Sequence, residues 1–108
     1  MKIKLFFLCS VFIYTTGVNA ASRGEKLYMQ NCMVCHADDG TGAMPGVLDL
    51  EENRAWSTMN KIKLLTRLKQ GIQKSDGSMG MPAKGGNSNL TDKELNEIIN
   101  YMHQSFLK

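Results

Sequence analysis

Two thiols and one imidazole fall within five residues, in Cys32-Met33-Val34-Cys35-His36. On a helical turn Cys32 and Cys35 are three apart and share one face. Their thiols can then add across the two vinyl groups on one edge of a single porphyrin. His36 lies four after Cys32, so its imidazole can turn under the ring and bind iron from one side. C-x-x-C-H is the pattern of c-type haem attachment, and axial histidine suits haem iron. Other chemistries fit less well. A thioredoxin-like pair expects an early βαβ pattern, which the sequence lacks. A structural zinc takes four ligands, and the rest of the chain offers only Cys9 and His103. The expected cofactor is one covalent haem c with its iron, on Cys32, Cys35 and His36.

At 108 residues the chain suits one small domain. Residues 1–20 read as a secretory leader. Lys2 and Lys4 make the positive start, Leu5 to Tyr14 the short apolar run, and Val18-Asn19-Ala20 the small-residue cut, with cleavage after Ala20. The run is shorter than the roughly 20 residues a membrane span requires. Residues 21–108 then form the working domain, in the periplasm, with no stable membrane anchor. A monomer is the default expectation. Formal charge falls from +3 to +1 when Lys2 and Lys4 are removed. That near-neutral balance lacks the concentrated basic face that nucleic acid requires. A domain this size has a thin core, and a large planar apolar cofactor would supply much of the missing interior.

Three helices must position these groups. Ser22 to Asn31 reads as the first, with Ser22 and Glu25 at capping-box spacing and Gly24 in its opening turn. Ala37 to Leu50 reads as a loop, turned by Asp38-Asp39-Gly40-Thr41-Gly42 and by Pro45-Gly46. Asn60 to Gln70 reads as the second helix, capped by Ser57 or Thr58 and stopped at Gly71. Its apolar stripe is Ile62, Leu65, Leu68 and Ile72, with Leu64 alongside. Lys61, Lys63, Arg67 and Lys69 occupy the rest, as a solvated face or as a patch for an acidic partner. Gln73 to Leu90 shows little regular pattern. Thr91 and Glu94 make a capping box for the last helix, striped by Leu95, Ile98, Ile99, Met102 and Phe106. The expected class is all-α, three to five helices wrapped around one haem.

The sixth iron position would suit a methionine sulfur, which raises the reduction potential. Met79 and Met81 lie in the long loop, far enough along the chain to reach round. Met81 is preferred, because Pro82 restricts it to extended backbone and Gly80 lets the chain pass close to the ring. Met79 is the runner-up, and His103 is a further alternative.

These features resemble a class I cytochrome c, over essentially all of residues 22–107. Gly24, Tyr28 and Cys32, each four apart, match the family's glycine, aromatic and first cysteine. Ile98, Tyr101 and Met102 match its last helix, and Met81 its axial methionine. The resemblance implies that first and last helices cross closely at Gly24. It also implies that the Pro45 carbonyl accepts a hydrogen bond from the other nitrogen of His36. Trp56 would border the haem, packing against the ring or donating to a propionate. Met81-Pro82-Ala83-Lys84-Gly85 with Trp56 is most similar to the bacterial cytochrome c5 group. Ala83 stands where that group often has a second proline, and no cysteine pair follows.

One-electron transfer is the function so implied, with no catalytic dyad in view. Donor and acceptor proteins would be transient partners, with Lys61, Lys63, Lys84 and Lys93 as candidates for the contact rim. A haem subunit of a larger redox complex, in sulfur-compound oxidation or a terminal oxidase chain, is the alternative. A five-coordinate haem that binds gases is a further one.

Overall fold

The computed structural model describes Val11 and residues 21–107; the expected leader, its cut after Ala20, and Cys9 lie outside the described residues. The described chain is all-α. Helices α1 (Arg23–Asn31), α2 (Met33–His36), α3 (Lys61–Gln70) and α4 (Asp92–Phe106) are joined by loops holding 3-10 turns at Arg54–Thr58 and Ala83–Gly86. A single antiparallel bridge, Ile72 to Met81, is the nearest approach to a sheet among the described residues.

Each long helix starts where a side chain satisfies an open amide. Ser22 Oγ accepts from the Glu25 amide at 3.1 Å and opens α1. Thr91 and Glu94 form the complete reciprocal box that opens α4. The expected α4 stripe is buried throughout: Leu95, Ile98, Ile99, Met102 and Phe106.

The α3 expectation needs two corrections. Its cap is Asn60, whose Oδ1 accepts from the Lys63 amide at 2.8 Å. Ser57 and Thr58 lie too early to cap it: both belong to the 3-10 turn, where their hydroxyls donate back to the Arg54 and Ala55 carbonyls. The buried stripe is Leu64 and Leu68, one turn apart, with Leu65 beside them. Ile62 is 79% exposed, since two residues from Leu64 is roughly half a turn round the helix. Ile72 falls beyond the Gly71 cap and is off the helix altogether.

Helices α1 and α4 cross at Gly24. A Cβ there would collide with the Glu97 carbonyl oxygen and come within 3.2 Å of Tyr101 Cβ. One turn on, the Tyr28 ring packs 5.4 Å from Tyr101 and 5.2 Å, edge-on, from Phe106. Tyr28 is 1% exposed. The crossing therefore buries one face of α1 and leaves its end pointing into the Cys32 turn.

Trp56 sits buried in the Arg54–Thr58 turn, and its indole N–H donates to the Leu50 carbonyl at 2.9 Å. That bond corrects the propionate role, because the only donor on the ring is committed to the protein. His103 packs edge-on against Trp56, ring centres 5.1 Å apart.

Gly24→Ala should destabilise the protein by about 3 kcal/mol, despite the better helix propensity of alanine, because the obstacle is backbone. Thermal unfolding of the purified holoprotein reads this directly. Trp56→Phe keeps most of the ring but leaves the Leu50 carbonyl without its donor. A loss of about 2 kcal/mol in urea unfolding is expected.

Candidate haem-binding site

The attachment turn grows out of α1 without a break. The Cys32 amide caps α1 by donating to the Tyr28 carbonyl at 2.8 Å, and the Cys32 carbonyl then accepts from the His36 amide at 2.9 Å. Cys32, Cys35 and His36 are thereby brought onto one turn, as their spacing requires. Both cysteines are free thiols. Burial, and then the neighbouring Cys35, push the Cys32 thiol up to about 11.

The turn is closed by a tyrosine that the sequence marked only as an aromatic. Ala37 ends α2 in the left-handed region, φ +64°, an unfavourable place for a side chain with a Cβ. The Tyr28 hydroxyl donates to the Ala37 carbonyl at 2.7 Å and holds it there. Burial pushes the Tyr28 hydroxyl above its ordinary value, so it stays a donor. The following loop folds back over the turn. The Gly42 amide donates to the His36 carbonyl at 2.9 Å and the Ala43 amide to the Cys35 carbonyl at 2.8 Å.

His36 is half-buried, and its Nδ1 has no hydrogen-bond partner. Burial lowers its proton affinity, and the backbone of Leu48 partly opposes this. The Leu48 backbone thus lies near the ring, in the same loop as Pro45, whose carbonyl the resemblance pairs with the imidazole. Pro45 is exposed and occupies the second position of a turn, Met44 to Val47, in which the Val47 amide donates to the Met44 carbonyl at 3.2 Å. Its stiff backbone shapes the loop tip, three residues before Leu48.

The two candidate methionines are treated differently. Met81 is half-buried, packs against the hydrophobic core, and accepts the Ile72 amide at 2.8 Å. Met79 is 74% exposed. A link the sequence did not reveal joins the Met81 segment to the His36 loop: Lys74 Nζ donates to the Gly46 carbonyl at 2.8 Å.

The donors suit a haem. Two reduced thiols on one turn meet the need for two thioether bonds. An imidazole held short of its protonated form is ready to bind a metal. Its buried Nδ1 has no partner among the described residues, a need that an outer group orienting a metal-bound histidine would meet. Apolar side chains on both loops, Met44, Leu48 and Ile72, present surface a planar apolar group would cover. A depression of about 650 Å³ along Gly46 to Asp49 and Glu52 to Arg54 contains none of these donors and plays no part in the assignment.

Comparison with known proteins points the same way. The family model described as "Cytochrome C oxidase, cbb3-type, subunit III" matches residues 19–102. Cytochrome c-555 of Chlorobaculum tepidum is 34% identical over 83 residues, 76% of this chain and 73% of that protein. Cytochrome c6 of Pyropia yezoensis is 30% identical over 109 residues, 94% and 93% of the two chains. Cytochrome c6 of Gracilaria tenuistipitata var. liui is 28% identical over 100 residues, 90% and 86%. The match covers the attachment turn, the crossing helices and the methionine loop together, so the chain belongs to this cytochrome family: it is a class I monohaem c-type cytochrome, an electron carrier with one covalently bound haem c rather than an enzyme.

Proposed function

We propose that the chain is an exported, periplasmic electron carrier whose haem iron is held between His36 and Met81. When bound, the haem supplies a one-electron couple between ferric and ferrous iron. Cys32 and Cys35 hold it by two thioether bonds. His36 binds on one side, through its imidazole. Met81 supplies a thioether sulfur, which favours the reduced state relative to a second imidazole. Rigid ligation of this kind leaves little to rearrange when charge changes. The observation that carries the reading is one helical turn bearing both thiols and the imidazole, with Met81 packed against the core of the same small domain. The contrast in exposure between Met81 and Met79 supports the choice of sulfur.

Residues 1–20 support export, with cleavage after Ala20. Among the described residues no helix is long and apolar enough to cross a membrane. Donor and acceptor proteins would dock transiently through small contacts. Exposed Lys63 and Lys93 remain candidates for the rim. Lys61 donates to Asn100 and Lys84 to the Ser88 carbonyl, which limits their reach. The likeness to the cytochrome c5 group rests on Met81 to Gly85 with Trp56, and the relatives above carry the names c6 and c-555.

A second reading follows from the matched family's description: the chain would be a haem subunit of a terminal oxidase. Co-purification with a membrane complex would favour that over a free carrier.

Met81→Ala should abolish the near-infrared sulfur-to-iron band of the oxidised holoprotein while the haem stays attached. Loss of the band in Met79→Ala instead would overturn the ligand choice. Ready binding of carbon monoxide by the reduced wild-type protein would move the assignment to a five-coordinate haem. Acid and organic solvent should leave the colour on the polypeptide, and Cys35→Ala should shift the spectrum of the single remaining thioether.

A further inference from the structure

The segment from Met79 to Leu90 carries Met81 and is held to the rest of the protein by the packing of Met81 and Leu90 against the core, with few hydrogen bonds to help. Most of its hydrogen bonds are internal. The Gly85 amide donates to the Pro82 carbonyl, the Asn87 amide to the Lys84 carbonyl, the Leu90 amide to the Asn87 carbonyl, and Lys84 Nζ to Ser88. Such bonds shape the loop without docking it. Among the described residues two hydrogen bonds tie it elsewhere. One is the backbone bridge from Ile72 to Met81. The other joins side chains fifty-six residues apart: Asn87 Nδ2 donates to Asn31 Oδ1 at 2.9 Å, partly buried.

Asn31 is held ready for that bond. Its Nδ2 donates back to the Leu27 carbonyl at 2.8 Å, one turn earlier in α1, which leaves Oδ1 facing the loop. The main chain closes in beside it. Gly85 has φ +62°, and a Cβ there would stand 2.8 Å from the Asn31 carbonyl oxygen. Asn31 also directly precedes Cys32. The loop is therefore pinned at the last residue before the covalent attachment, not at an arbitrary point on the helix.

We propose that the Asn31–Asn87 pair is a latch that keeps the Met81 loop docked and so sets how often its sulfur leaves the iron. Both asparagines are positioning residues. The inference rests on the reading of Met81 as the axial ligand. The bridge from Ile72 holds the loop at the Met81 backbone itself, and the asparagine pair holds it six residues further on. Releasing the pair frees the stretch from Pro82 to Asn89 to swing about the bridge.

The test uses the ferric holoprotein with imidazole as the probe, since imidazole occupies the sixth position only when the sulfur has left. Asn87→Asp still accepts from the Asn89 amide, as Asn87 Oδ1 does at 3.1 Å, but has no donor for Asn31 Oδ1. Imidazole entry should quicken about tenfold in Asn87→Asp, the loss expected for one partly buried hydrogen bond. Adding Asn87→Asp to Asn31→Ala should change the rate no further, because one bond is removed once. Amide hydrogen exchange at Gly85 and Asn87 should rise in the single variant while that of α4 stays put. Thr91→Ala, which breaks the α4 cap, lowers stability elsewhere and should leave imidazole entry unchanged. An unchanged rate in Asn87→Asp overturns the latch, as does equal quickening in Thr91→Ala or additivity in the double variant. If Met81→Ala retains the sulfur band, the ligand reading and the latch fall together. If that band is lost and Asn87→Asp behaves as wild type, the latch alone fails.

Discussion

Everything near the haem depends on how closely α1 and α4 can approach. The missing side chain at Gly24 lets the two backbones meet, and the register of α1 carries the consequence forward. Gly24, Tyr28 and Cys32 follow at intervals of four and share one face. Contact at the first places the second against Tyr101 and Phe106. That in turn aims its hydroxyl at the Ala37 carbonyl, just past the attachment turn. A shift of α1 along α4 would move the aromatic contact, the hydroxyl and the thiol together. One steric permission thus sets three chemical positions.

The hydrophobic core is small and draws most on α4, with Leu27 and Tyr28 of α1, Leu64 and Leu68 of α3, and Leu50, Trp56 and Leu90 from the connections. Trp56 shows how such a protein uses a large side chain sparingly. Its ring fills space against His103, and its N–H satisfies a buried carbonyl of the loop that covers the attachment turn. A propionate would be bound by the same donor only at the cost of leaving Leu50 unsatisfied. The indole therefore serves the protein's own backbone, and the loop inherits its rigidity.

Much of this was legible in the residues. The attachment pattern, the α4 stripe and its capping box are local signals, each complete within a helical turn or two. The stripe and the box transferred to the structure without change, and the attachment residues fall on one turn. The α3 stripe was misread for a physical reason: with leucines and isoleucines on several sides, periodicity alone does not say which arc faces inward, and Gly71 removes Ile72 from the helix. The Leu48 position near His36 could not be read, because a loop's path depends on bonds between distant groups, here Lys74 to Gly46 and Trp56 to Leu50. Asn31 and Asn87 were invisible for the same reason. Each is an unremarkable polar residue until the fold brings them 2.9 Å apart.

On the ligation proposed above, the two sides of the iron would be built to different standards. His36 sits on a turn continuous with α1, its carbonyl and that of Cys35 tied down by the returning loop. It cannot leave without dismantling the crossing that organises the domain. Met81 stands in a segment whose bonds are mostly its own, and whose residues Lys84 and Gly85 both have left-handed backbone. Such a segment opens at far lower cost than a helix does. If His36 and Met81 are both axial ligands, the weaker side would be held by the Asn31–Asn87 pair and the close approach at Gly85. Those contacts land on α1 at the residue before Cys32, where the protein is most firmly fixed. The rigidity of the histidine side would thereby be lent to the methionine side through a polar pair and a glycine with room for nothing larger, alongside the bridge to Ile72 and the packing of Met81 and Leu90.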